Sequence, residues 1–366
     1  MRSGTADSYL PGNLRGALLV AVTGVLFPLL SLAGETASCI GAQSRLAATA
    51  QALSQGELAQ AQRIVEEMQR RFPECSEVLL GLGRLREAHG DVYAAQSLFS
   101  RYILREPKKS KGYCSLARIL FSQGEYERAS ALAEQALLCD PKDLEALAMR
   151  GRTLAATGET GKAQEFLEKA CNLAPKDAEA HYQLGRLYRQ TERPKEAARE
   201  FASVILLNPQ NPRAYANLGL SFEELGENEK AEEAYKKGLQ VNQGLLSEPS
   251  LDLIYGRLLL KQNRFQESQT HLDRATQKQP ESRVVYYERA KLDLQLRNYL
   301  QARNDAEHAL TLPDSTGDVL DNQLFYLLVT IYERLGDTEH AREYSDLCRA
   351  LSAPRIIPST IPKDAR

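Results

Sequence analysis

Apolar and polar positions along this chain fall into two helical blocks per unit, and the stretch from Ser110 to Asp143 shows both. Tyr113, Leu116, Ala117 and Leu120 recur at i, i+3, i+4 and i+7, the spacing of one helix face. Gly124 follows, a residue for which positive φ costs little, and ends that helix in a turn. Ala129, Leu132, Ala133 and Ala136 restart the helical spacing. Pro141 lacks the N–H that a helix interior needs and closes the unit. Asp143 is placed to cap the next helix by accepting from its free N–H groups, and Ser110, Asp177 and Asn211 stand in similar places. Pro212, directly after Asn211, fits a first turn. The pattern predicts a helix, a tight turn and an antiparallel helix.

The unit repeats. Pro73, Pro107, Pro141, Pro175 and Pro209 lie 34 residues apart, and Ala61, Ala95, Ala129, Ala163, Ala197 and Ala231 keep the same period, as do Gly56, Gly90, Gly124 and Gly158. A fixed period in this range means units that bury their apolar faces only against their neighbours. The first unit runs from about Ala42 to Cys75, with Thr49 and Ala50 in place of a glycine and its neighbour. The next four begin near Ser76, Ser110, Leu144 and Ala178. In the fifth, Glu192-Arg193-Pro194 replaces the turn glycine, and Pro194 is placed to start the second helix. The sixth begins at Pro212 and has Gln243 where its closing proline would be; the seventh resumes near Pro249, about three residues late. Gln243 to Glu248 therefore reads as a longer connection and a hinge. The seventh unit closes at Pro280 and the eighth near Pro313; after an insertion around Gly317 to Asp321, Gly336 and Ala341 restore the pattern in a ninth. Repeats one to six span 42–245 and repeats seven to nine span 246–355; residues 356–366, which include Pro358 and Pro362, read as an extended tail.

The unit resembles the tetratricopeptide repeat, which has two helices, an L-G-x-x-Y core in the first, a small alanine in the second and a closing proline. Leu184-Gly185-x-x-Tyr188, Ala197, Phe201 and Pro209 carry the match, and Leu218-Gly219-x-x-Phe222, Gly226, Ala231 and Tyr235 carry it again. The likeness covers residues 42–355. It implies an all-α fold: a right-handed α-solenoid of about nine tetratricopeptide-like helix-turn-helix repeats, whose concave face receives partners.

Residues 1–38 stand outside the array. Arg2 and Arg15 precede an apolar run from Gly16 to Ala33, the order of a secretory signal, and Ser31-Leu32-Ala33 offers small residues for a cleavage site. The alternative is a retained single-pass anchor, although the run is near the lower limit for spanning a bilayer and Thr23, Gly24 and Pro28 interrupt it. In both cases the arginines stay inside, and the repeats are expected to be exported, periplasmic or envelope-associated. Thr36-Ala37-Ser38-Cys39 also resembles a lipoprotein box, with Thr36 in place of the usual leucine.

A formal net charge of -2 gives no global pull toward nucleic acid or an anionic membrane surface. His89, His181, His271, His308 and His340 keep no H-E-x-x-H spacing, and the six cysteines form no C-x-x-C pair, so no metal and no cofactor is expected. Gly81-x-Gly83 lies inside a helix and lacks the third glycine of a dinucleotide loop; no nucleophile elbow or phosphate loop appears. The chain does not read as an enzyme. Cys114, Cys139, Cys171 and Cys348 read as buried thiols. Cys39 precedes the first helix and Cys75 follows the second, ends that meet in an antiparallel hairpin; a disulfide is expected there after export, in competition with lipidation of Cys39.

Arg84, Arg118, Arg152 and Arg186 also recur at 34 residues, and the equivalent places in later repeats hold Leu220, Arg257 and Lys291. By the resemblance this position faces the concave surface, where Tyr182, Tyr287, Tyr326 and Phe121 stand nearby. Two readings are open. Each arginine can pair with a neighbouring carboxylate, as Arg84 with Glu87, and its stem can simply cover apolar surface. Or the row is a basic ladder for an acidic partner. The family's carboxylate clamp needs lysine and asparagine at set places; Asn217 is present without the full set. The sequence thus points to a non-enzymatic protein-interaction scaffold of the cell envelope that binds a protein or peptide partner, acidic in character, in its groove. A groove for an acidic polysaccharide or other polymer is the alternative.

Overall fold

The computed structural model describes residues 39–242, 248–313 and 319–352. The segment read from the sequence as a signal or anchor (1–38), the connection read as a hinge (243–247), the start of the insertion near Gly317 and the segment read as an extended tail (356–366) lie outside the described residues.

Nine antiparallel hairpins follow one another among the described residues. They are α1 (Ile40–Ser54) with α2 (Leu58–Arg71), α3 (Glu77–Ala88) with α4 (Val92–Arg105), and α5 (Ser110–Ser122) with α6 (Tyr126–Cys139). Then come α7 (Leu144–Ala156) with α8 (Thr160–Leu173), α9 (Ala178–Gln190) with α10 (Pro194–Leu207), and α11 (Pro212–Glu224) with α12 (Asn228–Val241). The last three are α13 (Ser250–Lys261) with α14 (Phe265–Lys278), α15 (Arg283–Gln295) with α16 (Tyr299–Thr311), and α17 (Asp321–Leu335) with α18 (Thr338–Ser352). There is no strand among the described residues, and no helix there is long and apolar enough to cross a membrane. Each second helix packs on the first helix of the next hairpin, and most successive first helices also touch one another while successive second helices approach less. The result is an α-solenoid with the first helices lining its inner side.

Turn chemistry sets the hairpins. Gly124 and Gly158 adopt φ of 80° and 86°, the left-handed region that ends a helix. In the fifth hairpin Glu192 takes that conformation itself, at φ 56°, and Pro194 opens α10. Asp143, Asp177 and Asn211 cap their helices through side-chain oxygens. Ser110 does not cap: it is already inside α5, and its hydroxyl donates to the Asp143 carboxylate of the next hairpin, tying two junctions together.

From the second hairpin to the eighth, the two helices meet at one reciprocal contact. A Cβ on Gly151 would lie 2.6 Å from Cγ of Leu167, and one on Gly185 would lie 2.9 Å from Cε1 of Phe201. Gly83 faces Phe99, and Gly219 faces Tyr235, in the same way. In the third hairpin the pair at these places is Ala117 and Ala133, and in the eighth it is Ala290 and Ala306, all fully buried. A large residue on one helix is matched by glycine on the other, and a small one by alanine. Ala61, Ala95, Ala129, Ala163, Ala197 and Ala231 are also completely buried, which permits close approach one turn earlier.

The junction where the period slips is bridged by charge. Glu232 of α12 accepts from the Tyr255 hydroxyl of α13 at 3.0 Å and from Arg264 at 2.7 Å. Asn242 and Glu248, the described residues flanking the gap, exchange two hydrogen bonds through the Asn242 side chain. Burial alone would raise the Glu232 carboxyl, but hydrogen bonds from Arg264, Lys236 and Tyr255 outweigh it and hold it at about 2.

Two outcomes follow from this packing. Ala163→Leu should overpack the α7–α8 contact and destabilise the fold by roughly 1–3 kcal/mol, read as a lowered thermal midpoint; an unchanged midpoint would place the close approach elsewhere. A carboxyl depressed in the folded state contributes stability that is complete above its unfolded value and is lost as pH falls through the folded one. The α12–α13 junction should therefore weaken as pH falls from the ordinary 4.5 toward about 2. Denaturant midpoints across this window should flatten in Glu232→Gln, and a curve identical to that of the parent would remove Glu232 from the acid response.

Candidate functional site

The arginines that share one phase all lie on first helices: Arg84 on α3, Arg118 on α5, Arg152 on α7 and Arg186 on α9. They do not share one environment. Arg118 donates to Glu87 at 2.7 and 3.0 Å and to Glu145 at 3.1 Å. Burial would lower its guanidinium, but these two carboxylates outweigh burial and raise it. The expected Arg84–Glu87 pair does not form, because Glu87 turns to Arg118 of the next repeat. Arg84, Arg152, Arg186 and Arg257 have no ion pair among the described residues, and the Nε atoms of Arg84, Arg152 and Arg257 are buried without a hydrogen-bond partner.

The difference is set by what stands at two other phases. Arg118 has Glu87 from the preceding repeat and Glu145 from the following one. One period on, the same places around Arg152 hold Phe121 and Glu179, and Glu179 is engaged by Gln183. Around Arg186 they hold Ala155 and Arg213. The guanidinium of Arg152 lies 4.5 Å above the Phe121 ring, a cation–π contact that supplies no countercharge. Burial first, and then the neighbouring Arg186 cation, hold Arg152 below its ordinary value. Arg84 is lowered in the same direction, chiefly by burial.

Arg152 and Arg186 line a cavity of about 510 Å³ together with Phe121, Gln183 and Arg189. Arg189 was not among the residues picked from the sequence, although it shares its phase with Phe121, two periods upstream. It is partly committed, donating to Glu224 at 3.1 Å and to Asn217 at 2.8 Å. Asn217 also donates to the Tyr182 hydroxyl at 3.3 Å, so neither side chain is idle. Tyr182 packs edge-on against Phe201, its ring centroid 5.8 Å away, and burial raises its hydroxyl.

The remaining candidates lie farther along. Arg257 and Lys291 line a second cavity, of about 310 Å³, with Lys261 and Glu288, and Lys291 is paired with Glu288 at 2.8 Å. Lys291 also stands 5.1 Å over the Tyr287 ring. Tyr326 on α17 is more than half exposed. The structure thus brings Arg152 and Arg186 together, with Arg84 and Arg118 beyond them, and leaves the C-terminal candidates as a separate group.

The structure joins Cys39 to Cys75 as a disulfide, with Cα atoms 5.7 Å apart. Of the thiols read as buried, Cys114, Cys171 and Cys348 are so, while Cys139 at the end of α6 is half-exposed, its sulfur 3.6 Å from the Pro107 carbonyl oxygen. The absence of ligand spacing in the sequence hides one cluster: Cys171, His181 and Glu200 meet from three helices with donor atoms within 4.8 Å of one another.

A string of helical hairpins, each packed on the next, defines a helical-repeat array. Profiles of the tetratricopeptide repeat match the chain at residues 51–110, 182–242 and 256–311, at 144–187 and at 113–139. The chain belongs to the tetratricopeptide repeat family, and an array of this family is a protein-interaction scaffold. No curated protein matches it. Among solved structures, the APC/C hetero-tetramer Cut9-Hcn1 aligns with a TM-score of 0.58 at 18% identity, over 65% of this chain and 46% of that one. TTC0263, a thermophilic TPR protein in Thermus thermophilus, gives 0.45 at 21% identity, over 51% of this chain and 100% of that one. MamA gives 0.38 at 23% identity, over 43% of this chain and 93% of that one. The chain therefore spans less than half of the Cut9-Hcn1 chain, and the likeness is one of fold.

The disulfide closes a loop with a sequence separation of 36, so reduction should destabilise the first hairpin by roughly 3–4 kcal/mol in the chain-entropy model. Thermal melts with and without reductant, beside Cys75→Ala, read this. A midpoint that ignores both treatments would show that the link carries no stability.

Proposed function

We propose that this scaffold holds an acidic segment of a protein partner on its inner face, centred on Arg152 and Arg186. One observation carries the reading: two guanidinium groups without ion pairs converge with an aromatic ring in one cavity. Arg152 is half-buried and Arg186 exposed; their mutual repulsion costs free energy, and an incoming carboxylate relieves it through planar, charge-assisted hydrogen bonds. Phe121 supplies the apolar face over which the Arg152 guanidinium is held.

We further propose that the repeats work outside the cytoplasm, in the envelope, as a binding scaffold without catalysis. The basic start and apolar run of residues 1–33 support export. The Cys39–Cys75 link supports it as well, since disulfides persist in oxidising compartments. A joined Cys39 has no thiol for a lipid, so attachment to the membrane would fall to the apolar run.

Binding of a labelled Glu/Asp-rich peptide tests the site. The double variant Arg152→Ala/Arg186→Ala should bind at least tenfold more weakly, about 1.4 kcal/mol, with a shallower dependence on salt. Arg118→Ala should change affinity little, because Glu87 and Glu145 already offset that charge. Equal affinity and equal salt dependence in the double variant would refute the site. Capture from an envelope fraction that survives protease treatment of the ligand would point to an acidic polymer instead.

A further inference from the structure

We propose that Cys171, His181 and Glu200 form a binding site for a divalent metal ion of zinc type, which ties the fourth repeat to the fifth. Cys171 comes from α8, His181 from α9 and Glu200 from α10, and their donor atoms all lie within 4.8 Å of one another. The site stands apart from the arginine cavity and does not depend on the function proposed for it.

Three observations converge. The first is a break in the repeat pattern. One period before and after Cys171 stand Leu137 and Ile205; around His181 stand Leu147 and Tyr215; around Glu200 stand Phe166 and Ala234. Three places that neighbouring repeats fill with apolar or aromatic residues hold three metal-ligating side chains here, all at the same junction. Helix packing does not need them.

The second observation is the orientation of the imidazole. His181 Nε2 lies 3.1 Å from the Pro175 carbonyl oxygen, which fixes that nitrogen as the N–H donor. Nδ1 then turns its lone pair to Glu200 Oε2, 2.7 Å away. Two lone pairs at that distance need a positive species between them, either a proton or a metal ion. A histidine held through its far nitrogen by a backbone carbonyl is the usual arrangement around a ligated metal. The third is the thiol. Cys171 is a free cysteine, 9% exposed, and its sulfur lies within 4.8 Å of the His181 and Glu200 donor atoms. A proton bridging His181 and Glu200 has no use for a sulfur beside it, whereas a zinc-type ion takes nitrogen, sulfur and oxygen together.

On binding, the Cys171 thiol and the His181–Glu200 pair each release a proton to solvent, and the sulfur becomes the third protein ligand. The fourth position of a tetrahedral ion is left to water. His181 and Glu200 are partly exposed, so the ion has a route in.

The test uses the full chain, stripped with a chelator and titrated with Zn²⁺ alone, with Co²⁺ as the spectroscopic probe. One ion per chain is expected, with a thiolate-to-cobalt absorption band in the near ultraviolet and a thermal midpoint that rises with Zn²⁺. Cys171→Ser should remove the band, and Cys171→Ser and His181→Gln should each weaken binding at least tenfold while circular dichroism stays that of the parent. Zn²⁺ should also slow alkylation of Cys171 in the unaltered protein, read by peptide mass, which holds even if a variant fails to fold. An unchanged band in Cys171→Ser, or alkylation of Cys171 indifferent to Zn²⁺, would overturn the assignment.

Discussion

From the second hairpin to the eighth, the fold depends on how closely two helices approach, and that approach is set where a glycine or alanine on one meets a defined partner on the other. Gly151 receives Leu167 and Gly185 receives Phe201, each at a spacing that leaves no room for a methyl group. At the same places in the third hairpin both partners are small, Ala117 and Ala133, and both are fully buried. Because the contact recurs with the period through seven hairpins, the packing of each is set locally and the array is built by repetition. No long-range contact is needed, and the apolar core is a strip handed from one repeat to the next.

This regular frame makes the irregular charges meaningful. The inner face carries arginines at a constant phase, yet only some are neutralised. What decides it is the content of two other phases, contributed by the repeats before and after. Glu87 and Glu145 surround Arg118; Phe121 and an already engaged Glu179 surround Arg152; Ala155 and Arg213 surround Arg186. Positive charge therefore accumulates along a short stretch of the groove, although the chain as a whole has a formal net charge of -2. Electrostatic character here is a property of neighbouring repeats taken together.

The fold was legible in the sequence because its signals are local. Helical spacing, turn glycines and closing prolines each act within one unit, and the period multiplies them. Ser110 failed as a cap because Asp143, one repeat on, offered its hydroxyl a carboxylate. The site was legible in part. The arginine phase was visible, but pairing Arg84 with Glu87 assumed that a helical neighbour wins, when the adjacent helix brings Arg118 closer. Arg189 could have been found by following the phase of Phe121, which was in hand. Cys171, His181 and Glu200 were hidden for another reason. Their separations match no linear motif, and only the stacking of three helices brings them together.

The first repeat has a mechanical property that follows from its cystine. Tension entering from the residues before Cys39 passes directly to Cys75 across Cα atoms 5.7 Å apart. Neither α1 nor α2 lies on that path, so the hairpin between the two sulfurs carries no load and cannot be drawn out while the bond is intact. A pull applied to the chain ahead of Cys39 would strain the second repeat before the first, and the first hairpin would move as one rigid body at the end of the solenoid.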